Sequence, residues 1–198
     1  MFVLDIETVD IESTSAILSL AVTHVTDSTN DYQSLLDNSI FIKFDLAEQL
    51  AANRTTSKET LDWWDRQTEI VKETSLYPSK KDISVSEGNK VLKKWLDIHN
   101  FKNTDVIFVR GFLDSLCLES LFRKFDLPQL VRYNQWLDVR SVISVLYENS
   151  VYGYVEVDHP TFNEGLVIKH HPVHDCAYDA IMLKYGKKYI LSFCRPNR

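Results

Sequence analysis

The sequence predicts an α/β domain whose mixed five-stranded sheet is flanked by helices, and the order of its patterns carries that expectation. Strand-like apolar runs crowd the first 44 residues, after which helical periodicity alternates with short buried strands and the chain closes on a helix. No Gly/Ser/Pro-rich linker or charge run interrupts the 198 residues, so one domain over 1–198 is expected.

Phe2 to Thr8 reads as the first strand. Residues two apart in a strand project from the same side, so Asp5 and Glu7 share a face while Leu4 and Ile6 take the other. Ile17 to Val25 makes a second strand and Ile40 to Phe44 a third, with turn chemistry from Asp27 to Asp31 between them, which suggests a meander. Thr56-Ser57-Lys58-Glu59 fits a capping box and starts a helix carrying Leu61, Trp63, Trp64 and Gln67. A looser stretch, Leu76 to Ser86, leads to a helix over Gly88 to Asn100, where Val91, Leu92, Trp95, Leu96 and Ile98 keep helical spacing. Asp105 to Val109 is a short buried strand, Leu116 to Phe125 a helix, Trp136 to Val139 a strand end and Ser141 to Glu148 a helix. Residues 149 to 171 are irregular, and Asp175 to Phe193 is the closing helix.

A chain this long, 44% hydrophobic and 12% aromatic, buries about 70% of its unfolded surface, so its stability needs neither disulfides nor a structural metal. Cys117, Cys176 and Cys194 are odd in number and lack CxxC spacing, which reads as reduced thiols in apolar segments. No basic leader and no run of about 18 apolar residues is present, so a soluble, cytoplasmic protein without membrane contact is expected. A net charge of −6, spread along the chain, argues against coating nucleic acid by counterion release but allows an enzyme that grips a strand end.

Four features carry chemistry: the Asp5/Glu7 pair, Asp114 after Val109-Arg110-Gly111, and His174 with Asp179 near the last helix. Each alone reads as a cap or a solvated charge. Brought together, carboxylates about 4 Å apart repel by roughly 4 kcal/mol per pair at an effective dielectric near 20, so the site demands protons or cations. Hard oxygen ligands select Mg²⁺ or Mn²⁺. A histidine whose ordinary pKa is near 6.5 suits proton abstraction at neutral pH, which makes His174 the general-base candidate. Residues five apart on a helix diverge by about 140°, so His174 is expected on the loop leading into the helix, with Asp179 projecting from the helix itself.

Of Trp63 and Trp64 only one can face the core, and Trp64 is the candidate to stack on a terminal base. Arg66, Lys80, Lys81, Lys169, Arg110 and His170 are available to phosphates, Arg110 and His170 most of all because they adjoin the motifs. His170-His171-x-x-His174-x-Cys176 fits no structural-zinc spacing.

Asp5-Ile6-Glu7-Thr8, the mid-chain Asp114, and His174-Asp175-Cys176-Ala177-Tyr178-Asp179-Ala180 resemble, in order and spacing, the three motifs of the DEDDh 3′-5′ exonucleases of DnaQ type. Ile42 to Leu46, Thr60 to Trp64, Arg110-Gly111 and His174 through Tyr185 extend the similarity to the DexA-type exonucleases of T-even bacteriophages, with residues 149 to 170 the least alike. The resemblance implies a ribonuclease-H-like fold and a phage-encoded, metal-dependent 3′-5′ exodeoxyribonuclease releasing nucleoside 5′-monophosphates. Asp5, Glu7, Asp114 and Asp179 would hold two Mg²⁺ or Mn²⁺ ions, His174 would act as base, and Thr8 would lie beside the 3′ end of the strand. The implied partner is nucleic acid with a free 3′ end, single-stranded DNA foremost. Many members carry an Asn before the middle Asp and an aromatic directly ahead of it; Arg110 and Leu113 stand there instead, so Asp138 remains an alternative to Asp114. An RNA-trimming, oligoribonuclease-like enzyme is the alternative activity. A catalytically silent binding protein is the alternative class, although clustered negative charge facing phosphate would serve it poorly.

Overall fold

Residues 1–147 and 150–187 are described by the computed structural model. Five strands, β1 (Phe2–Thr8), β2 (Ile17–His24), β3 (Ser39–Lys43), β4 (Ile107–Val109) and β5 (Trp136–Asp138), form one mixed sheet in the order β3-β2-β1-β4-β5. β1 pairs antiparallel with β2 and β2 with β3, while β4 joins β1, and β5 joins β4, in parallel. Parallel neighbours need crossover helices and antiparallel ones do not, which is why helices gather in the second half of the chain.

The helices are α1 (Tyr32–Asp37), α2 (Leu46–Ala51), α3 (Lys58–Asp65), α4 (Glu69–Val71), α5 (Val85–Ile98), α6 (Leu113–Lys124), α7 (Val139–Leu146) and α8 (Pro172–Tyr185), with a π-helical turn at Lys72–Leu76. They cover both sheet faces. Leu4, Ile6, Leu20 and Val22 pack with Leu92 and Leu96 of α5 and Leu118, Leu121 and Phe122 of α6. Val3, Ala21 and Phe108 on the opposite face meet Ile143 of α7 and Cys176, Ala177, Ala180 and Ile181 of α8. Asp5 and Glu7 have the parity of Val3, so the strand aims both carboxylates at α8. Small side chains at 176, 177 and 180 let that helix lie close to the sheet.

The expected five strands and mixed sheet are present, but the meander is not a plain one. Helix α1 stands between β2 and β3, closed by a reciprocal cap between Asp31 and Ser34. Helix α3 starts one residue later than the Thr56 box predicts, because Ser57 Oγ accepts from Thr60 N. Helix α5 starts earlier than Gly88, at the Ser84 cap, and α6 earlier than Leu116, which puts Asp114 in its first turn. Helix α8 begins at Pro172 rather than Asp175, with proline in its favoured first position. The remainder of the helix expected to Phe193, and Cys194, lie outside the described residues; Cys117 and Cys176 are buried free thiols. Among the described residues no helix is long and apolar enough to cross a membrane.

Candidate active site

Asp5 and Glu7 leave the end of β1 into a cleft of about 610 Å³ lined also by Arg110, Tyr154, Lys169, His170, Asp175, Tyr178 and Asp179. Asp114 meets them from the first turn of α6 and Asp179 from the second turn of α8. Burial raises the Asp5 carboxyl well above the ordinary range, and Asp114, Asp175, Glu7 and Asp179 push it further by like-charge repulsion. Glu7 is raised well by burial, then by Asp175 and Asp114. Asp114 is raised well by burial and by Asp179, against the opposing effect of Arg110 and Arg140. Asp175 rises to about 7, through burial first and then Asp179. Five carboxylates are thus held where at most some can ionise unless cations join them.

Asp5 Oδ2 is enclosed without a hydrogen-bond partner among the described residues. Buried polar oxygens are ordinarily satisfied, so an orphaned carboxylate oxygen amid other carboxylates fits a hard divalent cation. Among the described residues, a ligand atom each from Glu7, His170 and Asp175 lie within 4.8 Å of one another, close enough to share an ion.

Asp179 is engaged differently. Arg110 Nε donates to its Oδ1 at 2.9 Å and Oδ2 at 3.1 Å, and Arg110 Nη2 to Oδ1 at 2.5 Å. Arg110 Nη1 donates to Gly153 O, and the guanidinium lies 4.0 Å over the Tyr154 ring. Arg110, proposed from sequence as a phosphate contact, lines the cleft with its guanidinium engaged by Asp179 and Gly153 O. Asp138, the alternative middle carboxylate, caps α7: its Oδ1 accepts from Gly111 N and Arg140 N, its Oδ2 from Ser141 N and Oγ. Burial pushes the Asp138 carboxyl up, but the bonds from Ser141, Gly111 and Arg140 prevail and hold it low. Asp114 is the one that faces Asp5.

Two residues fall elsewhere than the sequence suggested. His174 lies within the first turn of α8 instead of on the loop before it. Its Nδ1 bonds the Tyr32 hydroxyl at 3.0 Å, and the ring lines a separate depression with Asp31, Gln33 and Leu166. The early start of α8 makes position 174 helical, so it lies about 140° around the axis from Asp179. Trp64 is fully buried, its Nε1 donating to Thr8 O at 2.8 Å, and so cannot stack on a base. Trp63 lines a second hollow, of about 570 Å³, with Glu7, Thr8, Ser57 and Thr60. Thr8 reaches that hollow, although its hydroxyl donates to Asp10 O at 2.7 Å. His170 does reach the main cleft, where its ring stands edge-on to Trp63 at 4.7 Å.

A family model described as Rv2179c-like, a 3′-5′ exoribonuclease domain, matches residues 1–186. The chain belongs to that family of DEDDh 3′-5′ exonucleases. An exodeoxyribonuclease of Enterobacteria phage T4 is 26% identical over 211 residues, covering 96% of this chain and 90% of the relative. Among solved structures, the nuclease domain of 3′hExo, a DEDDh family member bound to rAMP, aligns with a TM-score of 0.57 at 12% identity, over 95% of this chain and 96% of that one. Cell-death related nuclease 4 aligns equally well, TM-score 0.57 at 13% identity, over 92% of this chain and 62% of the other. The fold is that of the ribonuclease-H-like DEDDh nucleases, and the protein is a 3′-5′ exonuclease, a hydrolase of phosphodiester bonds.

For this exonuclease, sequence reasoning missed Asp175 and Tyr154. Asp175 had a signal, since it stands four residues before Asp179 on a helix and thus on the same face. Tyr154 had none, because its place over Arg110 depends on the irregular stretch that returns to the sheet edge.

Proposed function

We propose that the protein is a metal-dependent 3′-5′ exodeoxyribonuclease that removes nucleoside 5′-monophosphates from single-stranded DNA. The observation that supports this most is the unpartnered, enclosed Asp5 Oδ2 among carboxylates at the floor of an open cleft. Asp5, Glu7 and Asp114, with an aspartate of α8 for which motif order nominates Asp179, would hold two Mg²⁺ or Mn²⁺ ions. Such ions, when bound, ease deprotonation of the attacking water and offset charge on the leaving oxygen.

The chain's own groups position the substrate. Lys169 lines the cleft as a cation that would meet the terminal phosphate, while Tyr154, Val167 and Tyr178 give apolar wall for a base or sugar. Water attacks phosphorus as the bond to the 3′ oxygen of the preceding nucleotide breaks; a histidine at the cleft takes the water's proton, and the leaving oxygen is protonated by solvent. A cleft of about 610 Å³ has the size to take a strand terminus, which supports the reading of an end-directed enzyme.

The family description speaks of an exoribonuclease and the phage relative of an exodeoxyribonuclease, so RNA is the second reading. Matched single-stranded DNA and RNA oligonucleotides, labelled at the 5′ end and incubated with Mn²⁺, separate them. A ladder shortening from the 3′ end, faster on DNA, is expected; faster loss of RNA reassigns the substrate, and binding without shortening leaves a binding protein.

A further inference from the structure

The cleft continues in two directions, and the two differ in charge. On one side Ile6 and Glu7 are shared with the hollow at Trp63, whose wall carries Glu7, Asp10, Glu12 and Glu59 and, among the described residues, no cation. On the other side Tyr154 is shared with a groove of about 450 Å³ lined by Arg140, Ser141, Ser144, Tyr152 and Gly153, and among the described residues no carboxylate lines it.

Two short pieces of chain build the second groove. Arg140 and Ser144 stand four apart on α7 and so share a face. Against them the chain reverses at Tyr152-Gly153, both at positive φ (54° and 73°), between Val151 and Tyr154, which exchange backbone hydrogen bonds of 2.9 and 3.0 Å. A Cβ at position 153 would come within 2.5 Å of Arg140 Cα, so only glycine lets the turn lie directly on α7. A tyrosine in the left-handed region is costly, and this one leaves its ring 90% exposed in the same groove as the exposed Arg140. The Arg140 charge reaches the cleft: burial raises the Asp114 and Asp179 carboxyls, and Arg140 opposes the rise in both.

A strand that ends in the cleft brings one phosphate to the reacting position, and every nucleotide 5′ of that bond brings another. The terminal nucleoside adds none. Phosphates running past Glu7, Asp10, Glu12 and Glu59 would meet only like charge, whereas phosphates running past Arg140 meet an opposite one. We infer that the groove between α7 and the Tyr152 turn holds the substrate strand 5′ of the scissile bond, with Arg140 on its phosphates and Tyr152 stacked on a base. The acidic Trp63 hollow then receives the uncharged terminal nucleoside. Tyr154, common to cleft and groove, marks where the strand passes from one to the other. This assignment rests on the exonuclease reading above and gives it a path for the rest of the strand.

Arg140→Gln, Tyr152→Ala and Glu59→Gln in the full chain test this, on a thymidine dinucleotide, which has no phosphate beyond the scissile one, and on a twelve-residue oligothymidylate. KM is measured on both with Mn²⁺, and the Kd of the fluorescently labelled twelve-mer by anisotropy without divalent ion. Arg140→Gln is expected to weaken the twelve-mer about 10-fold in both readouts and to flatten the log–log salt dependence of its Kd by about 0.7, with KM and turnover on the dinucleotide near wild type. Tyr152→Ala should weaken the twelve-mer roughly 5- to 150-fold, and Tyr152→Trp should restore it. Glu59→Gln should leave the ratio of the two KM values unchanged. Unchanged twelve-mer affinity in Arg140→Gln or Tyr152→Ala, an equal loss on both substrates, or tightening confined to the twelve-mer in Glu59→Gln overturns the assignment. Should Tyr152→Ala melt early, Tyr152→Asn, which accepts the left-handed backbone, replaces it under the same criterion. A wild type that binds the twelve-mer through Arg140 and Tyr152 without shortening it sinks the exonuclease reading and leaves the groove standing.

Discussion

Trp63 and Trp64 are neighbours in sequence with opposite surroundings. Trp64 is fully enclosed with Val9, Leu18 and Val71, whereas Trp63 borders the hollow beside Glu7 and Thr8. Trp64→Ala should therefore cost about 3–5 kcal/mol of stability, read by chemical denaturation, because it removes a large buried ring and leaves Thr8 O without its donor. Trp63→Ala should act on binding: loss of one base-stacking surface, worth about 1–3 kcal/mol, raises KM for a single-stranded end roughly 5- to 150-fold, with a smaller loss of stability. An unchanged KM would remove Trp63 from the substrate path. That one tryptophan is buried was legible from helical periodicity, but which one was not, since neighbours on a helix lie about 100° apart and only the packing of α3 against Val9, Leu18 and Val71 selects Trp64. Asp5, Glu7 and Asp114 were legible because strand parity and the strand-exit position constrain them strongly. The placement of His174 was not, because α8 starts at Pro172 and takes position 174 into its first turn instead of leaving it on the loop.

At the scale of elements, strands with buried alternation were read nearly to the residue, while α1 and α2 were missed. Both are six residues long, below the length at which propensity alone holds a helix, so they persist through caps and tertiary contacts a linear reading does not contain. In α2, Gln49 is fully buried and clamps β2: its Oε1 accepts from Ile17 N at 2.8 Å and its Nε2 donates to Ile17 O at 2.7 Å. Gln49→Leu should destabilise by about 2–6 kcal/mol, two backbone groups being left unpaired at about 1–3 kcal/mol each, seen as a lower urea midpoint. Helix α5 lies so close to the sheet that a Cβ on Gly88 would come within 2.3 Å of Phe44 Cε1. Alanine there would gain about 1 kcal/mol of helix propensity and lose about 1–3 kcal/mol to overpacking, and Phe44, itself buried, has little room to yield. Net destabilisation of Gly88→Ala is expected; a stabilised variant would show that α5 slides freely on β3.

The whole molecule carries a charge problem at one end of its sheet, and its stability should report it. Asp5, Glu7 and Asp114 have carboxyl groups raised well above the ordinary range, and Asp175 is raised to about 7, in each case by burial before like-charge repulsion. A carboxyl with a raised folded-state pKa binds its proton more tightly in the native state, so it contributes stability at low pH that is lost as pH rises through the folded value. The metal-free protein should accordingly gain stability as pH falls through about 7, where Asp175 takes up its proton, by up to about 1.4 kcal/mol per pH unit for each proton taken up, or about 3–5 °C in Tm. Below about 6.5 the gain is opposed, because burial holds His24 and His171 down at about 4, and groups with depressed values lose stability as they charge. Divalent cations compete with those protons. Mg²⁺ or Mn²⁺ should raise Tm more at pH 8.5 than at pH 7, and binding should release protons, measurable as calorimetric heats that vary with the ionisation enthalpy of the buffer. An Asp5→Asn variant should melt higher than wild type without metal at pH 8.5 and gain little from Mn²⁺, because the charge that makes the site unstable alone is the charge that holds the ion. Equal metal stabilisation of wild type and Asp5→Asn would separate the cation from the end of β1.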